Sequence, residues 1–154
     1  MMLNLMPKGP DSLRSSLSMQ SQPTVRPTVV SLLSSATETI YELGLEVHLV
    51  GRSHECDYPP ACSALPQCSL AQVNHLQASS CIDRQVKELS ESGATMYTLD
   101  GDTVARLAPD VIAVQGSCRI CAVSPGALTN TALDCKTLVL RPRTLPDVLA
   151  DVVW

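Results

Sequence analysis

From Thr28 onward the chain alternates short β-branched runs with stretches of helical spacing, the order expected when βα units stack their strands into a parallel sheet. Thr28-Val-Val-Ser-Leu-Leu33 reads as the first strand. Behind it, Ser35-Ala-Thr-Glu38 has the spacing of a capping box, in which the serine hydroxyl accepts from the amide three residues on and the glutamate reaches back. The helix predicted there carries Ala36, Ile40 and Leu43 on its apolar side and meets Gly44 where a left-handed residue would close it. His48-Leu-Val-Gly51 is a short second strand. The segment from Arg52 to about Gln77 is too long for a plain connector and reads as a functional or disordered loop.

A second helix is predicted from about Cys81 to Ser92, with Ile82, Val86 and Leu89 on one face, Ser80 capping it and Gly93 ending it. Met96 to Leu99 reads as a third strand, Asp102 to Ala108 as a short helix stopped by Pro109, Asp110 to Val114 as a fourth strand and Thr137 to Leu140 as a fifth. Ser124-Pro-Gly-Ala-Leu opens a helix with proline in its first turn, and Thr144 to Trp154 begins another. The fold class is therefore α/β, a Rossmann-like open parallel sheet flanked by helices.

Residues 1–27, rich in Ser, Met, Gln and Pro and lacking either period, are expected to be a disordered N-terminal segment, leaving 28–154 as one domain. Lys8, Arg14 and Arg26 against Asp11 leave an organelle transit peptide open as a second reading. The formal charge of −4 and 3% of aromatic residues give neither a basic stripe nor stacking platforms, which argues against a nucleic-acid partner. No apolar run approaches the roughly 18 residues that span a bilayer, so no membrane insertion is expected. Seven scattered cysteines without an apolar leader point to a reduced, cytoplasmic protein.

Three strings carry the chemistry: Val30-Ser-Leu-Leu-Ser-Ser-Ala-Thr-Glu38, Gly51-Arg-Ser-His-Glu-Cys-Asp-Tyr-Pro59 and Cys118-Arg-Ile-Cys-Ala-Val-Ser-Pro-Gly126. Together with Leu107-Ala-Pro-Asp-Val-Ile112 they resemble the cobalamin-binding members of the iron/B12 periplasmic-binding (type III substrate-binding) proteins, over about Thr28 to Val153. The resemblance implies one lobe of a two-lobe protein, with the start of the helix that links the lobes. It also implies a ligand-binding protein related to ABC-type uptake systems rather than an enzyme. Cobalamin or another corrinoid or metal chelate would be the small-molecule ligand, and a second-lobe chain or a homo-oligomer would complete the cleft. Ser34 stands where the family usually has proline, which predicts a looser turn.

In an open parallel sheet ligands bind beyond the carboxyl ends of the strands, and all three strings follow strands. Ser34, Ser35 and Ala36 would offer helix N-terminal amides to a ligand oxygen, or form no more than a cap. Arg52, Ser53, His54, Glu55, Cys56, Asp57 and Tyr58 form the densest polar cluster; Arg52, His54, Cys56, Asp57 and Tyr58 are its candidate ligand contacts, His54 is a candidate metal ligand, and Arg52 and Tyr58 could grip peripheral amides. Alternatively, Arg52 pairs with Asp57 or Glu55 merely to order the loop. Cys118 and Cys121 form one CxxC, open to a structural, zinc-binding or dithiol role. The alternative to a receptor is a zinc- or thiol-dependent enzyme or redox protein built on His54, Cys56, Cys118 and Cys121.

Overall fold

The strands are short because each needs only enough β-branched length to cross one layer. β1 (Val29–Ser31), β2 (Leu49–Arg52), β5 (Val111–Gln115) and β6 (Lys136–Leu140) form a four-stranded sheet in the order β2-β1-β5-β6, every neighbouring pair parallel. The computed structural model describes residues 26–117, 122–123, 125–128 and 133–152. Residues 1–25 of the segment expected to be disordered, Cys118, Cys121 and the last two residues lie outside this set. The helices are α1 (Ser34–Glu42), α2 (Ser79–Glu91), α3 (Gly101–Leu107), α4 (Pro125–Leu128) and α5 (Leu145–Val152). The expected α/β architecture is present, with a parallel sheet flanked by helices.

Two further strands depart from the sequence expectation. β3 (Ser69–Ala71) lies inside the segment read as one long loop, and it pairs antiparallel with β4 (Tyr97–Leu99), the run read as a third strand of the main sheet. The pair forms its own two-stranded sheet, joined to β2 through the bridge between Arg52 and Gln67 and the bonds from Arg52 N to the Pro66 carbonyl and from Cys68 N to the Arg52 carbonyl. A three-residue strand with one buried residue carries too little periodicity to stand out in the text.

Val30, Leu32, Cys68, Val104, Ile112, Val114 and Val123 form the buried core, drawn from β1 and its exit, from β5, from α3 and from the residues just before β3 and α4. Removing each large aliphatic side chain from water contributes on the order of 1.5–3 kcal/mol before entropy is counted. Gly51 is required by close approach: a Cβ there would stand 2.6 Å from Cys68 Sγ and 2.9 Å from Leu107 Cδ1. At the amino ends of the strands, Asp110 accepts from the Thr28 amide at 2.7 Å and hydroxyl at 3.0 Å, and its own amide donates to Thr28 Oγ1, locking the starts of β1 and β5 together.

Helix boundaries differ from expectation where capping was inferred. α1 begins at Ser34 with Leu33 at the cap, so the Ser35-Glu38 box is out of step and does not form. α2 begins at Ser79 behind Ala78, and Ser80 makes no cap bond. Side chains do cap α3, where the Asp100 carboxylate accepts from Thr103 N at 3.0 Å and Thr103 Oγ1 at 2.7 Å, and α5, where Thr144 Oγ1 accepts from Asp147 N at 3.4 Å while Asp147 Oδ2 accepts from Thr144 N at 2.9 Å. Gly44 and Gly93 do close α1 and α2 with positive φ of 67° and 71°. Leu43 is half exposed rather than buried, because α1 turns Ala36 and Thr37 to the core.

Candidate ligand site at the carboxyl edge

Because all four strands of the main sheet run parallel, their carboxyl ends share one edge, and the helix start after β1 and the loop after β2 meet there. Ser34 Oγ donates to the Glu55 carbonyl at 3.1 Å, tying α1 to the polar loop. The chain leaves β5 at Gln115 on this same edge, and Gly116 N donates to the Leu140 carbonyl of β6. It therefore enters the 118–121 segment from the rim that bears the other two strings, separated from β2 by β1 alone.

Within the loop the predicted residues take distinct roles. Asp57 and Tyr58 are exposed, as is Ser35, and Ser34 is partly so. Arg52 pairs with neither Asp57 nor Glu55. Its Nη1 instead donates to the carbonyls of Ser53 and Cys56 at 3.0 and 3.1 Å, curling the loop around the guanidinium. A planar fork with five donors suits that task, since it can collect carbonyls at fixed angles. Its Nε is buried without a partner. Cys56 points away from any ligand: it is buried between Thr37 Oγ1 at 3.1 Å and Ser53 Oγ at 3.3 Å.

His54 leans into a second group of residues that its position in the sequence does not announce. Its amide donates to Ser69 Oγ at 3.1 Å, and its Nδ1 lies 2.8 Å from the same oxygen. The Ser69 hydroxyl is fully buried, and among the described residues Nδ1 is the acceptor within reach of its hydrogen, so the arrangement that satisfies it puts the imidazole hydrogen on Nε2. Burial lowers the His54 pKa, helped by the Arg52 and His75 charges and opposed by Glu55, so the ring is neutral at physiological pH. Its Nε2 stands 4.0 Å from Glu55 Oε1, beyond hydrogen-bond reach. Metal ligation through Nε2 would first require this hydrogen to move.

Tyr97 on β4 completes the group. Its hydroxyl donates to Glu55 Oε1 at 2.8 Å, and its ring lies 4.8 Å from that of His54 at a tilt of 39°. Burial, then the bond to Glu55, pushes the Tyr97 pKa up to about 12, so the phenol keeps its proton. These residues form the polar side of a cleft of about 400 Å³ beside the rim; Ile82 and Val86 of α2 and Val73 and Met96 supply its apolar wall. The predicted apolar face of α2 thus covers a cleft rather than the main core, and none of its residues is fully buried. Ser69, His75 and Tyr97 were not foreseen as site residues. For Tyr97 the sequence offered the strand-like run from Met96 to Leu99; Ser69 and His75 lay in the segment read as a loop and carried no signal.

Ser69, His54 and Glu55 superficially resemble a nucleophile, base and orienting acid. Ser69 is completely buried, however, so no substrate carbon can reach it, and Glu55 at 4.0 Å from Nε2 makes no hydrogen bond that would orient the imidazole as a base. Among the described residues no group of three or more His, Cys, Asp or Glu side chains is disposed to hold a metal ion, and Cys56 does not join His54 in one. A second depression, of about 500 Å³, lies at the opposite, amino end of the strands around Asp110 and Lys136, remote from the three strings.

No family model matches the sequence, and no curated protein matches it either. Solved structures do. The periplasmic vitamin B12 binding protein BtuF of Vibrio cholerae superposes with a TM-score of 0.54 at 22% identity, covering 81% of this chain and 38% of that one. A periplasmic heme binding protein from Pseudomonas aeruginosa gives 0.54 at 19% identity, with 81% and 35% covered. The heme-binding protein BhuT, in complex with two hemes, gives 0.51 at 19% identity, with 81% and 38% covered.

The chain has the fold of one substrate-binding-protein lobe. It spans little more than a third of the length of the proteins it matches. The resemblance read from the three strings is thereby supported at the level of fold. The expectation of a cytoplasmic protein is corrected: the proteins that share this lobe are periplasmic, and scattered cysteines do not outweigh that likeness. No helix among the described residues is long and apolar enough to cross a membrane.

Proposed function

We propose that this chain is a ligand-binding lobe that holds a corrinoid such as cobalamin, or a related metal macrocycle such as heme, at the carboxyl edge of its sheet, and that it carries out no reaction on it. The observation that bears most weight is the bond from Ser34 Oγ to the Glu55 carbonyl, which joins the helix start and the polar loop into one continuous rim. Both named ligands are bound by proteins of the same fold. Ser34, Ser35, Asp57 and Tyr58 are the contacts proposed on the described part of the rim, and Cys118 and Cys121, outside the described residues, are proposed as further contacts. Arg52 acts indirectly by shaping the loop, and Cys56 by anchoring it. His54 faces the neighbouring cleft, and an axial bond from it to a metal is not needed for the rim to bind.

A lobe of this size leaves the far side of a macrocycle uncovered, so a second lobe or a second copy of the chain is proposed to close over it. α5 fits such a partner: Leu145, Val148, Leu149 and Val152 are all exposed on a short helix. Delivery to an ABC-type transporter follows from the same proposal. The test is titration of the purified chain with cyanocobalamin, cobinamide and hemin, followed by absorbance and calorimetry. Saturable binding that Tyr58→Ala and Asp57→Ala weaken is expected; no spectral change and no heat with any of the three would reject the proposal.

A zinc- or thiol-dependent enzyme gains nothing from the described residues, because Cys56 is sealed in the core away from His54.

A further inference from the structure

The cleft beside the rim has an unusual polar edge. With Ser69 on Nδ1, His54 presents an Nε2 hydrogen that has no acceptor among the described residues, the nearest Glu55 oxygen being 4.0 Å away. Beside it, Glu55 has Oε1 engaged by the Tyr97 hydroxyl, while Oε2 takes no hydrogen bond from any of the described residues. One free donor and one free acceptor therefore sit side by side, both held by groups that are themselves fixed: His54 by Ser69 and Glu55 by Tyr97. Opposite them, Ile82 and Val86 offer a partly buried aliphatic face.

We propose that this cleft is a second binding site, distinct from the rim, that takes a flat apolar group ending in a carboxamide or lactam. The ligand carbonyl accepts from His54 Nε2, the ligand N–H donates to Glu55 Oε2, and the ring or chain behind them lies against Val86 and Ile82. An amide is the group that places an acceptor and a donor next to each other without a net charge. A carboxylate in the same place would set a second anion against Glu55 and offer it no hydrogen, costing discrimination of the kind seen when a polar site is left unpaired. An ammonium would satisfy Glu55 but leave the His54 hydrogen without an acceptor. The volume, about 400 Å³, falls within the range of small-molecule sites and suits one or two rings.

This site does not depend on a macrocycle being bound at the rim. Should one be present, carboxamide-ended side chains would be admitted at the cleft and carboxylate-ended ones turned away. The two proposals fail separately, because the probes below are too small to report on the rim.

The test is an NMR titration of the full chain with benzamide, benzoate and benzylamine, following the Met96 and Val86 methyl groups and the Tyr97 amide. Benzamide is expected to shift these signals saturably and to bind at least about tenfold more tightly than benzoate, a difference of about 1.4 kcal/mol. Glu55→Gln, which supplies an amide hydrogen in place of the carboxylate, should narrow the gap between benzamide and benzoate. Val86→Phe, which fills the slot, should abolish the shifts while signals from β1 and β5 stay in place; if that variant unfolds, Glu55→Gln alone decides. Equal binding of benzoate, preference for benzylamine, shifts confined to other parts of the chain, or no saturable shift at all would each overturn the proposal.

Discussion

Ser69 Oγ lies 2.8 Å from His54 Nδ1 and 3.1 Å from the His54 amide nitrogen, so one buried hydroxyl fixes both the backbone and the ring of a residue fifteen positions earlier. Through this contact the β3–β4 pair is fastened to the loop after β2, and the face that His54 offers to a ligand is set by a serine that touches no ligand.

Replacing that serine gives the most direct check. Ser69→Ala leaves the His54 amide and Nδ1 without their shared partner, and a stability loss of about 1–3 kcal/mol is expected in urea unfolding. Nitrogen NMR of the imidazole should show the hydrogen on Nε2 in the parent protein and a mixture of tautomers in the variant. An unchanged tautomer would remove the role given to Ser69.

Gly51 is held to its identity by space rather than by backbone angle. In Gly51→Ala the new methyl would stand 2.6 Å from Cys68 Sγ, and destabilisation of about 1–3 kcal/mol is expected. Adding Cys68→Ala removes the nearest obstacle and should return part of the loss, a coupling that a double-mutant cycle measures.

The lock between β1 and β5 should be visible in acid. Asp110 has its pKa lowered below the ordinary 3.8, first by the Thr28 amide and then by the Thr28 hydroxyl. A depressed carboxylate adds stability that is fully present above its unfolded pKa and is lost as pH falls through the folded one. Asp110→Asn should therefore lower the urea midpoint at pH 7, and the difference from the parent should shrink as pH falls below about 4. A difference that stays constant down to pH 2.5 would show that the carboxylate charge is not involved.

Thiol reactivity should follow burial. Cys56, Cys62 and Cys68 are buried, and desolvation raises the pKa of Cys62 and pushes that of Cys68 up to about 11. Only thiolates alkylate readily. Among the described cysteines, Cys81 should label first in native protein, Cys135 more slowly because burial raises its pKa, and the other three only with denaturant. Peptide mapping after timed alkylation reads the order.

Much of the fold was legible because local chemistry wrote it. β-branched runs marked β1, β2, β5 and β6, and Gly44 and Gly93 marked helix ends where only a positive φ closes the turn. The parallel order followed from strands separated by helical spans, and that order put the carboxyl ends of β1, β2 and β5 on one edge. The caps were less legible: Ser35 and Glu38 have the right spacing, but α1 starts one residue earlier because Leu33 remains extended at the end of the strand.

The sequence by itself determined the layer of parallel strands, the meeting of the first helix start with the loop after β2 at its carboxyl edge, and the polar loop from Arg52 to Tyr58. Only the tertiary structure decided which members of that loop face outward. Cys56 turned into the core and Arg52 was taken up by carbonyls, while Ser69 and Tyr97, distant in the chain, came to govern His54 and Glu55. The physical reason is range. Periodicity and turn chemistry act over a few residues, whereas the direction of a loop side chain is set by whichever buried donors and acceptors the rest of the fold brings within about 3 Å of it.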